Sequence, residues 1–298
     1  MKTLEFQPAF SARLNGPVVV TGAGGWLGQA ALEMFGAALP LERIHAFGAS
    51  ARIHWLRNGA ALPIRPLPAL GELRMENAIV FHLAFLTREH VGKMPLEDYI
   101  SANRAISAQV AGFIRRNGAA GVFLPSSGAV YAPKPNPYGD CKLEDERDFA
   151  ALGCPAAIIR VFNLAGPFIN KLDSYALACI VGDVLAGRPV TLRAAHPVWR
   201  AYAHVGDVLN IALGLVLRGE TVPVFGTSGE AMELSTLARR VARVLGRGEP
   251  EICRPEWEQG TPDHYLGDMM AYAAHAAALG IRLHSLDEQI LDTATYLV

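Results

Sequence analysis

From residue 17 onward, apolar residues gather in short runs separated by longer stretches of helical period. Pro17 to Thr21 (PVVVT), 43–48 (RIHAFG), 78–84 (AIVFHLA), 121–127 (GVFLPSS) and 156–163 (AAIIRVFN) are the runs. Short apolar runs of this kind are of strand type. The stretches between them, such as Leu27 to Phe35 and 96–116 (LEDYISANRAISAQVAGFIRR), have helical spacing. Strand alternating with helix predicts right-handed crossovers and a doubly wound α/β sheet of the Rossmann kind.

After Asn163 the pattern changes. Gly/Pro turns appear at "AGP" and "AGRP", and helical patterns occupy 233–245 and 264–280. The expected organisation is a dinucleotide-binding domain over 1–165, to which the chain returns around 203–227, and a smaller α/β substrate lobe over most of 166–298.

Composition narrows the class. Of 298 residues, 51% are apolar and 18% charged, enough for a large core and too few charges for disorder. The net charge of −1 carries no long block of one sign, which excludes the electrostatic footprint of a nucleic-acid binder. Cys141, Cys154, Cys179 and Cys253 are scattered without metal-ligand or redox spacing, so no metal is expected and the thiols suit a reducing compartment. The N-terminal residues have no apolar core of signal-peptide length, and no run approaches the roughly 20 apolar residues of a membrane span. A cytoplasmic enzyme is the expectation.

The loop TGAGGWLG places Gly22, Gly25 and Gly28 between the first strand and the first helix. Glycines there allow a tight turn and let backbone N–H groups approach a pyrophosphate, while the helix N-terminus adds partial positive charge. Trp26 and Leu27 of the first helical turn join them as candidate cofactor contacts. At the end of the second strand an acid would bind the adenosine ribose; the chain instead has Gly48, then Ser50 and Arg52. A small residue with a nearby arginine suits a 2′-phosphate, so NADP is expected, with NAD possible.

Further motifs follow in order: HLA at 82–84, SSGAVY at 126–131, Tyr138-x-x-x-Lys142, RVFNLAGP at 160–167 and RAYAHVGDV at 200–208. With the glycine array, the chain resembles the extended short-chain dehydrogenase/reductases, in particular the epimerase/dehydratase branch acting on nucleotide sugars. By that resemblance Ser127, Tyr138 and Lys142 are the catalytic triad. A free phenol titrates near pH 10, too high for an efficient base, and a neighbouring ammonium favours the phenolate. Spacing of four puts Tyr138 and Lys142 on one helix face.

The resemblance also implies that Asn103 braces the site, that Ala84, Phe85 and Leu86 line the cofactor cleft, and that Asn163 and Arg200 contact the substrate's diphosphate. An alternative for Arg200 is an ion pair, with Asp207 as partner. His204 and Asp207 are expected to fix the chain rather than do chemistry. Ser127-Gly128-Ala129 stands where dehydratases of the family carry Thr-Asp-Glu, which argues against dehydration. Cys141 should point away from the pair, and RPLPAL (65–70) lacks the adenine-contacting aspartate.

The resemblance thus implies an NADP-dependent reductase of a keto group on a nucleotide-linked sugar. The alternatives are an NAD-dependent 4-epimerase and, from another class, a non-catalytic dinucleotide-binding regulator. A homodimer paired through the 96–116 and 138–152 helices is a further expectation.

Overall fold

A computed structural model describes residues 4–219, 221–256 and 261–298. The chain divides into two compact units, one comprising 4–161 with 209–225, the other 162–208 with 226–298. It is a mixed α/β protein with a large, mostly parallel sheet.

In the first unit the strands are β1 (Val18–Thr21), β2 (Ile44–Gly48), β3 (Arg52–Trp55), β4 (Ala61–Pro66), β5 (Ala78–His82), β6 (Ala119–Ser127) and β7 (Ala156–Val161). They lie in the order β7-β6-β5-β1-β2-β4-β3, with a short strand at Phe225–Gly226 completing the sheet beside β7. Every pair from β7 to β4 is parallel. All residues of β1 and β5 are buried, including Thr21 and His82 at their ends, as in the covered strands of a parallel sheet.

Helices of this unit include α1 (Pro8–Ser11), α2 (Trp26–Ala38), α3 (Leu96–Asn117) and α4 (Pro137–Ala150), and most of the helix Val205–Arg218. On one sheet face Phe35 of α2 meets Phe81, which meets Phe123, at centroid separations of 5.0 and 5.2 Å. On the other, Val19, Phe47, Val80 and Leu124 pack with Phe113 and Ile114 of α3 and Phe149 of α4. Strand order reverses between β1 and β5, and ligands of such sheets bind beyond the strand ends at that point.

One crossover differs from the alternation predicted. Between β2 and β5 there is no α-helix; β3 and β4 form an antiparallel hairpin followed by a 3-10 turn over Leu67–Glu72. The cause is local. Asn58-Gly59 tips the hairpin with Gly59 at φ +84°, and Leu56 N–H reaches the Ala60 carbonyl across it. Pro63 and Pro66 would break any helix there.

The second unit contains helices Ala176–Leu185, Leu234–Val244, Met269–Ala278 and Leu286–Leu297, and small sheets including Val198–Arg200 between Met232–Glu233 and Asp263–Tyr265. Its core joins Leu177, Val181, Leu237, Val241 and Ile290. The helix predicted over 264–280 begins only at Met269, where Asp268 caps it by accepting the N–H groups of Met270 and Ala271.

Candidate active site

The glycine loop starts where β1 ends. Gly22 has φ +65°, and a Cβ there would collide with the backbone of Leu83 and Ala84, which follow β5. A Cβ on Gly28 would strike the Gly22 carbonyl and Ala23. The loop is therefore closed tightly enough to bring α2 against the two central strands, and Gly25, at the helix N-cap, supplies no side-chain cap. Trp26 is buried, so only its backbone could face a cofactor, while Leu27 is half-buried.

Ser50 and Arg52 are exposed after β2. Arg52 opens β3 rather than a helix, and its guanidinium lies against Gly24, where a Cβ would overlap it. That placement sets a cation beside the glycine loop. The loop's bare backbone, open N-cap and adjacent arginine fit a dinucleotide phosphate.

Ser127 ends β6 and is buried; its Oγ accepts the Ala129 N–H at 3.1 Å, which orients the hydroxyl. The 3-10 turn Gly128–Tyr131 follows, and Asn136 pins the start of α4 onto it. The Asn136 amide donates to the Ala129 carbonyl at 2.5 Å and its Oδ1 caps Gly139 N–H at 3.1 Å. Tyr138 lies in the first turn of α4, half-buried, and Lys142 one turn later, buried.

The Lys142 ammonium donates to the Pro125 carbonyl at 3.0 Å and sits 3.6 Å from the centre of the Phe85 ring. Phe85 also meets Tyr138 edge-on at 5.7 Å. Burial pushes Lys142 down to about 8, and Asp145, Cys141 and Glu146 partly offset this. Asp145 is itself pushed up by burial and lowered by Lys142. Burial likewise raises the Cys141 thiol, which suits no nucleophilic role.

Asn103, on α3, is buried with its amide on the segment after β5: Leu86 N–H donates to Oδ1 at 2.8 Å, and Nδ2 donates to the Leu86 carbonyl at 3.4 Å. Tyr99 Oη reaches the same carbonyl at 2.8 Å. Ala84 N–H donates to Thr21 Oγ1 at 3.3 Å, and Thr21 bonds His82 Nδ1 at 2.9 Å. Burial, then the nearness of Lys142, pushes His82 down to about 3, so it is neutral.

A second polar cluster escaped the sequence reading. Glu146, one turn beyond Lys142, accepts Ser126 Oγ at 2.5 Å and both Nε and Nη2 of Arg160 at 2.8 and 2.7 Å. Arg160 also donates to Tyr131 Oη at 2.5 Å. The cluster ties β6, β7, α4 and the 3-10 turn around the Ser127 position. Its available signal was helical: Glu146 follows Lys142 at the same spacing by which Lys142 follows Tyr138.

The predicted substrate residues lie in the second unit and have internal partners. Asn163 Nδ2 donates to the carbonyls of Ala201 and Tyr265 at 3.0 and 3.3 Å. Arg200 pairs with Asp263 at 2.6 Å, not with Asp207. Asp207 instead binds His284, through Nδ1 at 2.6 Å and the backbone N–H at 2.9 Å. His204 stacks on His284 at 4.0 Å, and His204, His284 and Asp292 bring ligand atoms within 4.8 Å of one another. His204 Nδ1 accepts the Gly206 N–H, so the neutral ring carries its proton on Nε2, the atom a metal would need.

The model of the NAD dependent epimerase/dehydratase family matches residues 18–225. The chain belongs to that family. It is an enzyme of the extended short-chain dehydrogenase/reductase type. Among curated protein sequences none matches the chain. Solved structures of similar fold include a UDP-N-acetylglucosamine 4-epimerase from Methanobrevibacter ruminantium in complex with UDP-N-acetylmuramic acid, at TM-score 0.75 and 19% identity, covering 95% of this chain and 98% of that one. The UDP-glucose 4-epimerase of Thermotoga maritima, with UDP-glucose, is similar at TM-score 0.71 and 17% identity over 94% and 98%. That of Thermus thermophilus, with NAD, is similar at 0.68 and 21% over 94% and 98%. No described helix of this family member is long and apolar enough to cross a membrane.

Proposed function

We propose that this enzyme inverts a hydroxyl-bearing carbon of a nucleotide-linked sugar with NAD. The observation that carries the reading is the placement of Tyr138 and Lys142 on one face of α4, pinned to the turn that follows Ser127. The cofactor supplies reversible hydride acceptance at its nicotinamide ring. Tyr138 takes the proton of the sugar hydroxyl as the carbon is oxidised and returns it after re-reduction on the other face. Ser127 holds the same oxygen by hydrogen bond, and the Lys142 charge favours the phenolate. Gly22, Gly25 and Gly28 with the first turn of α2 hold the pyrophosphate, and Asn103 fixes the wall at Leu86. That solved relatives bind UDP-sugars and NAD supports both ligand classes.

A second reading, an NADP-dependent keto-sugar reductase, is favoured by one observation: Arg52 lies against Gly24 where no carboxylate follows β2. The two separate on one preparation. An epimerase purifies with NAD that acid releases, and converts a UDP-sugar to its C4 epimer without added cofactor, whereas a reductase consumes NADPH and binds it less well as Arg52→Ser. In either case Tyr138→Phe is inactive. If no dinucleotide raises the melting point and no UDP-sugar is changed, both readings are wrong. In either reading Asn163 and Arg200 must share the diphosphate with their present partners, and a homodimer through α3 and α4 is the expected assembly.

A further inference from the structure

Residue 85 is held between two fixed points. On one side Ala84 N–H is tied to Thr21, and on the other the Leu86 backbone is gripped by Asn103 and Tyr99. Thr21, Tyr99 and Asn103 are all almost wholly buried. The side chain between these anchors is aromatic, and its ring touches both members of the acid/base pair: the Lys142 ammonium across its face and the Tyr138 ring at its edge.

An ammonium has three donors. Lys142 gives one to the Pro125 carbonyl, and the face of Phe85, rich in negative charge, receives the cation at 3.6 Å. The groups that bear on the ammonium from elsewhere are Asp145, Glu146 and Cys141 on its own helix and His82 from β5. Of the half-buried residues Ala84, Phe85 and Leu86, Phe85 is the one that lays its ring against this almost wholly buried ammonium.

We propose that Phe85 is a positioning residue for the reaction, its ring keeping the Lys142 ammonium dry and beside Tyr138 so that the lysine charge acts on the phenol rather than on solvent. The proposal rests on Tyr138 and Lys142 being the acid/base pair. It assigns Phe85 more than the lining of a cofactor cleft. A leucine there preserves bulk without the charged face, an alanine preserves neither, and a tyrosine preserves both.

The test uses Phe85→Leu, Phe85→Ala and Phe85→Tyr in the full chain. The ionisation of the Tyr138 phenol is followed by phenolate absorbance, subtracting the curve of Tyr138→Phe made in the same background. With Leu or Ala, the phenol should titrate at higher pH than in the parent, and kcat near neutrality should fall by about tenfold, with little change in KM. Phe85→Tyr should restore both. Leucine is close in volume and tolerated in half-buried sites, so it keeps the test valid if the alanine variant does not fold. A Phe85→Leu enzyme with the parental phenol titration and parental pH profile overturns the proposal. So does a kcat lost equally at every pH with the titration unmoved, which marks a structural role. If Tyr138→Phe keeps full activity, the acid/base reading fails and takes this proposal with it; if Tyr138→Phe is inactive and Phe85→Leu is unchanged, only the proposal fails.

Discussion

Replacing Glu146 by alanine removes a carboxylate that accepts three hydrogen bonds in one place: from Ser126 at 2.5 Å and from Arg160 at 2.8 and 2.7 Å. The Glu146 side chain is 8% exposed and that of Arg160 17%, so the pair is mostly withdrawn from water. Removing one partner of such a pair costs roughly 3–5 kcal/mol, because the other charge is stranded. Arg160 keeps the Tyr131 hydroxyl and some solvent, which places the expected loss at the low end, about 3 kcal/mol. At roughly 2–4 °C per kcal/mol, the melting point should fall by about 6–12 °C. Urea unfolding of Glu146→Ala, Arg160→Met and the double variant measures it. If the loss comes from a stranded cation, the double variant is more stable than Glu146→Ala alone. A Glu146→Ala loss under about 1 kcal/mol, or strict additivity in the double variant, would refute the reasoning.

Two further outcomes follow from buried ionisable groups. Lys142 titrates at about 8 in the folded chain against an ordinary 10.5; the unfolded chain holds more protons between these values, so stability rises with pH through that window. Below it the full cost of the buried charge is present, on the order of 3 kcal/mol. Lys142→Met should therefore be inactive and should lose the rise in melting point between about pH 8 and 10.5, and an unchanged slope in that window would contradict this. His284 is raised by its hydrogen bond to Asp207, with Glu288 and Asp292 adding to the effect and His204 stacked on its ring. Its contribution to stability is present below the ordinary histidine value of 6.5 and is lost as pH rises through the raised one. Asp207→Asn should flatten that part of the melting-point profile, and an unchanged slope would exclude the pair as its source.

The parallel sheet was legible because its largely buried strands are written as short apolar runs that alternate with segments of helical period. The glycine loop was legible for a different reason: at Gly22 and Gly28 no side chain fits, and the sequence records the exclusion directly. The hairpin of β3 and β4 was not anticipated, although Asn58-Gly59 marks it, because its half-exposed strands lack a continuous apolar run. Partners distant along the chain left no trace. Nothing in RAYAHVGDV points to Asp263 as the carboxylate on Arg200, and the two residues meet only because Val198–Arg200 and Asp263–Tyr265 lie side by side. Glu146 is the intermediate case, visible by helical spacing from Lys142 but with its second partner, Arg160, on another strand.

The double anchorage of the segment around residue 85 has an evolutionary consequence. Because Thr21 holds one flank and Asn103 with Tyr99 the other, the path of the backbone does not depend on which side chain sits between them. Position 85 is thus a socket, in which mutation can exchange the surface presented to the cleft while the frame stays put. Descendants of this chain could change what this segment lays against Tyr138 and Lys142 in a single substitution, without first having to rebuild a loop.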